Sequence, residues 1–196
     1  AYKAQKNKLP KWLMKKKEIL VIWDDHDYGK NDGGKDFKLK KEAQKMFLNF
    51  WNISASDPRS IREGTYFRQI KVIDGTEIEI IGLDTRYFRS KLKGKKNAYK
   101  QNKDLEATVL GQDQWVWLEA SIFNSNADII LLLSSIQILA TNHPYEKWDN
   151  FPLERQRLLL LIANASKSKT ILLYLVIDIE QVFIKMKILL KLQHHQ

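Results

Sequence analysis

The chain has 196 residues, 44% of them hydrophobic, and 33 Lys and Arg against 23 Asp and Glu give it a formal net charge of +10. That length and apolar content support one folded domain with a proper core and argue against disorder. Cysteine is absent, which excludes disulfides, zinc ribbons and thiol catalysis, and apolar runs such as Ile129 to Leu133 fall far short of the roughly 20 residues that cross a bilayer.

Residue 1 is Ala, and the Lys-rich start has no apolar stretch of signal-peptide length, so no targeting segment is expected and the chain reads as beginning inside a larger protein. Glu18 to Trp23 reads as a buried strand, followed by a polar loop from Asp24 to Gly34. Residues 39–52 carry Ala43, Met46, Phe47, Phe50 and Trp51 at helical spacing, which predicts an amphipathic helix with an aromatic core stripe. Thr65 to Ile73 and Thr76 to Leu83 alternate in polarity around Asp74-Gly75, a strong hairpin signal. A helix is expected from Gln112 to Phe123, a strand from Asp128 to Leu133, a turn-rich stretch through Pro144 and Pro152, a helix from Leu153 to Ala163 and a buried strand from Thr170 to Val176. Strands separated by helices, with one hairpin, predict a layered α/β fold with some antiparallel pairing. No internal repeat or linker is visible.

The loop after Trp23 is chemically the densest part of the chain. It holds the carboxylates of Asp24, Asp25, Asp27 and Asp32, the imidazole of His26 and the amide of Asn31. Carboxylate and amide oxygens suit hard cations and a His nitrogen suits borderline metals, so these types fit a metal-assisted reaction on an anionic substrate. The end of a strand is also where open α/β sheets place their sites. Asn31, Asp32 and Gly33-Gly34 read equally as a plain turn. Asp84 and Arg86 end an apolar strand and read as a buried ion pair in preference to a substrate contact. Ser134 and Ser135 lack the glycine-flanked elbow of a serine nucleophile. His143 sits in a polar loop that could line a site, although a lone loop His is more often a bystander; Trp148 and Phe151 read as packing. The lysine clusters at Lys15-Lys16-Lys17 and from Lys91 to Lys100 lack any nucleic-acid signature and read as a solvated face that would still draw phosphorylated substrates.

Three ordered blocks share a pattern. The first is Trp23-Asp24-Asp25-His26-Asp27-Tyr28-Gly29-x-Asn31-Asp32; the second is Arg62-Glu63-Gly64-x-Tyr66 followed by Leu83-Asp84-Thr85-Arg86-Tyr87-x-Arg89. The third runs from Leu110-Gly111-x-x-Gln114-Trp115-x-Trp117-Leu118 through Ser134-Ser135-Ile136-Gln137 to Trp148-x-Asn150-Phe151-Pro152-x-Glu154-Arg155-x-Arg157-Leu158. Together they resemble the alkaline phosphatase D (PhoD-like) family of metallophosphoesterases over residues from about 10 to 173, and the ordered set is far more specific than any single short motif. The resemblance implies a layered sandwich of mixed β-sheets flanked by helices, incomplete in this chain, and hydrolysis of phosphate mono- or diesters by a metal-bound hydroxide. It implies two metal ions, iron with calcium, and a phosphate ester as the substrate, with nucleic acid entering only in that role. On the same ground Asp25 is a metal ligand, His26 contacts the phosphoryl oxygen or protonates the leaving group, and Asn31 is a ligand or phosphate contact. Asp24 and Asp27 would orient the loop, with Asp84, Arg86 and His143 as supporting or substrate-contacting residues. Family members are often exported, which implies a periplasmic or secreted location. The resemblance sets no oligomeric state.

The pattern breaks in two places. The family carries an Asp-rich half-site upstream of the Trp-Asp-Asp-His block, where only about twenty residues stand here. After a strand like Thr170 to Leu173 it continues Ser-Gly-Asp-x-His, where this chain reads Tyr174-Leu175-Val176-Ile177-Asp178. Codons for Ser-Gly-Asp-Arg-His-Arg-Ala-Gly-Phe-Tyr-Lys, read one base late, can encode the run from Leu175 to Lys185. The sequence therefore predicts a partial PhoD-like domain over residues 1–173 and a frameshifted, non-native tail over 174–196, with the chain by itself inactive if both half-sites are missing. The rival expectation is a non-catalytic polyanion-binding or nucleic-acid-binding protein that keeps the fold and uses its positive charge.

Overall fold

The computed structural model describes residues 7–11 and 19–175. In chain order its elements are α1 (Asp25–Tyr28), α2 (Lys40–Phe50), α3 (Pro58–Ile61), β1 (Phe67–Ile73), β2 (Thr76–Gly82), β3 (Lys93–Lys95), β4 (Ala98–Lys100), α4 (Gly111–Phe123), β5 (Ile129–Ser134), a 3-10 turn (Trp148–Asn150), α5 (Pro152–Ala165) and β6 (Thr170–Leu175).

The predicted hairpin is β1 and β2, paired antiparallel from Phe67 with Gly82 to Ile73 with Thr76. Asp74 and Gly75 both take positive φ, 49° and 79°, the paired left-handed conformation that matches strand twist in a two-residue turn. β2 then pairs in parallel with β5 and β5 in parallel with β6, giving one mixed sheet in the order β1-β2-β5-β6. Parallel neighbours need a crossover, and α4 and α5 supply the two helical ones.

Alternation along the strands sends Ile81, Ile130, Leu132, Ile171 and Leu173 to one face. There they pack on Trp115, Leu118 and Ile122 of α4 and on Leu158, Leu161 and Ile162 of α5. The opposite face carries the half-buried Ile80, Leu131, Leu133 and Leu172; the second large sheet of a sandwich is not formed by the described residues. Glu154 ties α5 to the start of α4. Its carboxylate accepts from Thr108 Oγ1, Val109 N and Trp115 Nε1, and burial raises its pKa against the pull of those donors. Trp148 and Phe151 are buried core residues, and Ser134 and Ser135 spend their hydroxyls on Ile136, Trp148 and Thr85.

Three details differ from the sequence reading. Ile19 to Trp23 pairs with no strand among the described residues; Trp23 is buried instead by aromatic packing, 5.1 Å from Tyr28 and 5.4 Å from Phe47 between ring centroids. An apolar run signals burial without saying what buries it. Met46 projects outward, 57% exposed, and the buried α2 stripe is Gln44, Phe47 and Leu48. The lysine cluster around residues 91–100 folds into the short hairpin β3-β4, which its charge concealed. The expected strand from Thr170 is β6, described to Leu175; Val176 lies outside the described residues. So does the expected frameshifted tail, apart from Tyr174 and Leu175, which complete β6. No described helix is long and apolar enough to cross a membrane.

Candidate active site

The loop after Trp23 is built around the single turn α1, which Gly29 ends in a left-handed conformation with φ 93°. Trp23 and Tyr28 seat it on a small aromatic cluster with Phe47, Leu48 and Tyr87. The Tyr28 hydroxyl donates to Gly34 O at 2.9 Å and fastens the far end of the loop to the helix. Gly34 is required there, because a Cβ on it would lie 2.5 Å from Arg89 O. Gly34→Ala should therefore lower stability by about 1–3 kcal/mol, the usual range for overpacking; an unchanged urea midpoint would contradict this close approach.

Each residue singled out in the sequence has a definite place. Asp25 Oδ2 accepts from Asp32 N at 3.0 Å. Its Oδ1 lies 3.6 Å from His26 Nδ1, and the His26 side chain is 65% exposed while Asp25 is largely covered. Asn31 is exposed and donates to Asp32 Oδ2 at 2.7 Å, where the Tyr99 hydroxyl of β4 also donates at 2.7 Å. Asp27 is half-buried and its pKa is raised, first by burial and then by the charge of Asp24 and Asp25, against a lowering backbone contact from Asp24.

Asp24 faces inward, where its Oδ1 accepts from Arg86 Nε at 2.9 Å and from Arg86 Nη2. The expected Asp84–Arg86 ion pair is not formed. Asp84 Oδ1 accepts from the backbone N–H of Arg86 at 2.8 Å and of Tyr87 at 2.9 Å, and its Oδ2 from Thr65 N at 2.8 Å. A carboxylate at the start of a tight turn satisfies local N–H groups more readily than a guanidinium two residues on. The Arg86 guanidinium instead bridges Asp24 and Glu146. It is fully buried, so it cannot touch substrate, and the two carboxylates raise its pKa against the effect of burial.

His143 is half-buried, and neither of its ring nitrogens has a hydrogen-bond partner among the described residues. Burial, followed by the Lys147 charge, lowers its pKa. Among the described residues no hydrogen bond or ion pair joins it to Asp25 or His26. Arg89 and Glu146 are not among the candidates that the sequence offers. The Arg86-x-x-Arg89 spacing is a signal for the first; for Glu146 the sequence holds none beyond its charge.

Among the described residues no three His, Cys, Asp or Glu side chains converge on a point that could hold a metal ion. Asp25 has one oxygen committed to the Asp32 amide, Asp24 is committed to Arg86, and Asp84 to backbone donors. These residues alone do not fit a two-metal centre.

The mixed sheet with its crossover helices, and the aspartate–histidine turn tied to the segment after β2 by Arg86 and Arg89, define a mixed α/β fold. A model of the family described as PhoD-like phosphatase matches residues 3–174, and the chain belongs to that family. The solved structure described as "Structure of PhoD" is similar at 21% identity with a TM-score of 0.54, over 79% of this chain and 33% of that one. That likeness carries the fold, and this chain spans about a third of that protein's length. No curated protein matches the chain at a significant level.

Proposed function

We propose that this protein acts in the metal-dependent hydrolysis of phosphate mono- or diesters, with Asp25 and His26 as its contribution to the reaction centre. The observation that carries the reading is the contrast at this pair: His26 stands 65% exposed beside Asp25, while the turn that bears it is packed and cross-linked on its inner side. Asp25 Oδ1 faces Nδ1 of the ring, which leaves Nε2 free to meet an ester oxygen and to deliver or accept a proton. Asn31, exposed on the same loop with Nδ2 donating to Asp32 Oδ2, would use its second N–H on a phosphoryl oxygen or its Oδ1 as a ligand. The net charge of +10 favours the approach of anionic esters. Two ions, iron and calcium by the family resemblance, would need ligands beyond the described residues.

The intact protein containing this chain should hydrolyse p-nitrophenyl phosphate or its bis-ester and lose that activity to a chelator. His26→Ala should lower kcat by about a hundredfold, the low end for a general acid or phosphate-contacting His, and Asp25→Ala should weaken the response to added metal. Absence of turnover on both esters, or activity indifferent to chelator and to Asp25→Ala, would overturn the reading. The exposed lysines of β3-β4 favour, as a second reading, a non-catalytic polyanion-binding protein. Steeply salt-dependent binding of DNA or RNA without hydrolysis would mark it.

A further inference from the structure

Two arginines hold the candidate loop from inside, one at each end. Arg86 grips its beginning through Asp24. Arg89 grips its end, donating from Nη2 to the carbonyls of Asp32 and Gly33, the latter at 2.7 Å, while its own carbonyl accepts from Lys35 N at 2.7 Å. Both guanidiniums are 1% exposed. Two buried cations this close repel one another and need a shared anion. Glu146 is that anion: Oε2 contacts Arg86 Nη1, and Oε1 lies 2.8 Å from Arg89 Nε. Burial and the Arg86 charge lower the Arg89 pKa while Glu146, Asp32 and Asp36 raise it, and burial raises the Glu146 pKa against the pull of both arginines.

We propose that Glu146 is a positioning residue for the reaction centre, coupling the Arg86 and Arg89 grips so that the loop bearing Asp25 and His26 is held at both ends. It comes from the turn-rich stretch before the 3-10 turn, remote in sequence from everything it orders. Its role in catalysis rests on the phosphoesterase reading; its role in ordering the loop does not. Losing the Glu146 charge would leave two buried guanidiniums with Asp24 as their remaining carboxylate. Arg86 would keep Asp24, whereas the ion pair of Arg89 is with Glu146, so the grip at Asp32 and Gly33 should open first, releasing the Asp32 amide from Asp25 Oδ2.

The test is amide hydrogen exchange on the protein with Glu146→Gln, read by segment, alongside steady-state kinetics on p-nitrophenyl phosphate. Exchange over residues 24–37 should quicken about tenfold or more, with β5 and α5 still protected, as expected for a local opening. In an active protein kcat should fall about tenfold while KM stays within about twofold, the signature of lost alignment rather than lost binding. Glu146→Asp keeps the charge one methylene further back; it should restore part of both losses, and it carries the comparison if the Gln variant does not fold. Unchanged exchange over 24–37, exchange raised equally across the sheet, or a loosened loop with full kcat would each overturn the positioning role. A loosened loop in a protein that hydrolyses neither ester would leave the clamp standing and remove the phosphoesterase reading instead.

Discussion

Arg86→Met should destabilise the protein by about 3–5 kcal/mol, the usual consequence of removing one partner from a buried ion pair. Met fills much of the same volume, so the loss comes from charge rather than from a cavity. Asp24 would lose both of its guanidinium donors, and Glu146 would keep only Arg89 while remaining buried. For a chain of this size the change should lower the melting temperature by roughly 6–20 °C. Urea unfolding would check it independently through a reduced midpoint at unchanged slope. A midpoint equal to that of the wild type would show that Glu146 reaches water in solution and that its pairing with Arg86 is not buried.

Asp84→Ala should cost about 3 kcal/mol or more. Asp84 is fully buried, and Ala would leave the N–H groups of Thr65, Arg86 and Tyr87 without an acceptor, each at about 1–3 kcal/mol when no water reaches it. The comparison with Asp84→Asn sharpens the test. An amide keeps one carbonyl oxygen, enough for the Arg86 and Tyr87 donors, but turns an NH2 toward Thr65 N. Asn should therefore fall between wild type and Ala, at about 1–2 kcal/mol. If Ala proved as stable as Asn, the turn after β2 would not depend on this carboxylate. Because Asp84 and Arg86 act on neighbouring parts of one segment, their combined replacement should not be additive.

Most of the sheet and its helices are legible in the sequence because their signals are local. Asp74-Gly75 between alternating strands names its own turn, and α4 and α5 announce themselves by helical spacing. The segment before the loop is misread because Trp23 is buried by rings rather than by strand pairing. The β3-β4 hairpin is missed because two three-residue strands rich in lysine carry almost no periodic signal. At the site, the loop and its chemistry are visible in the residue types, whereas the partner of each charge is not. Asp84 and Arg86 are near neighbours of opposite sign, yet Arg86 pairs with an aspartate 62 residues away.

By itself the sequence determined the family, the mixed α/β architecture and the concentration of carboxylate, imidazole and amide groups in one loop, all carried by short-range order and motif spacing. Only the tertiary structure decided which of those groups are available. It paired Asp24 with the buried Arg86, spent Asp84 on backbone donors and left His26 facing outward beside Asp25. It also brought Glu146 to the loop. The reason is physical: a buried charge takes whichever counter-charge the fold delivers within a few ångströms, and that depends on how distant segments pack.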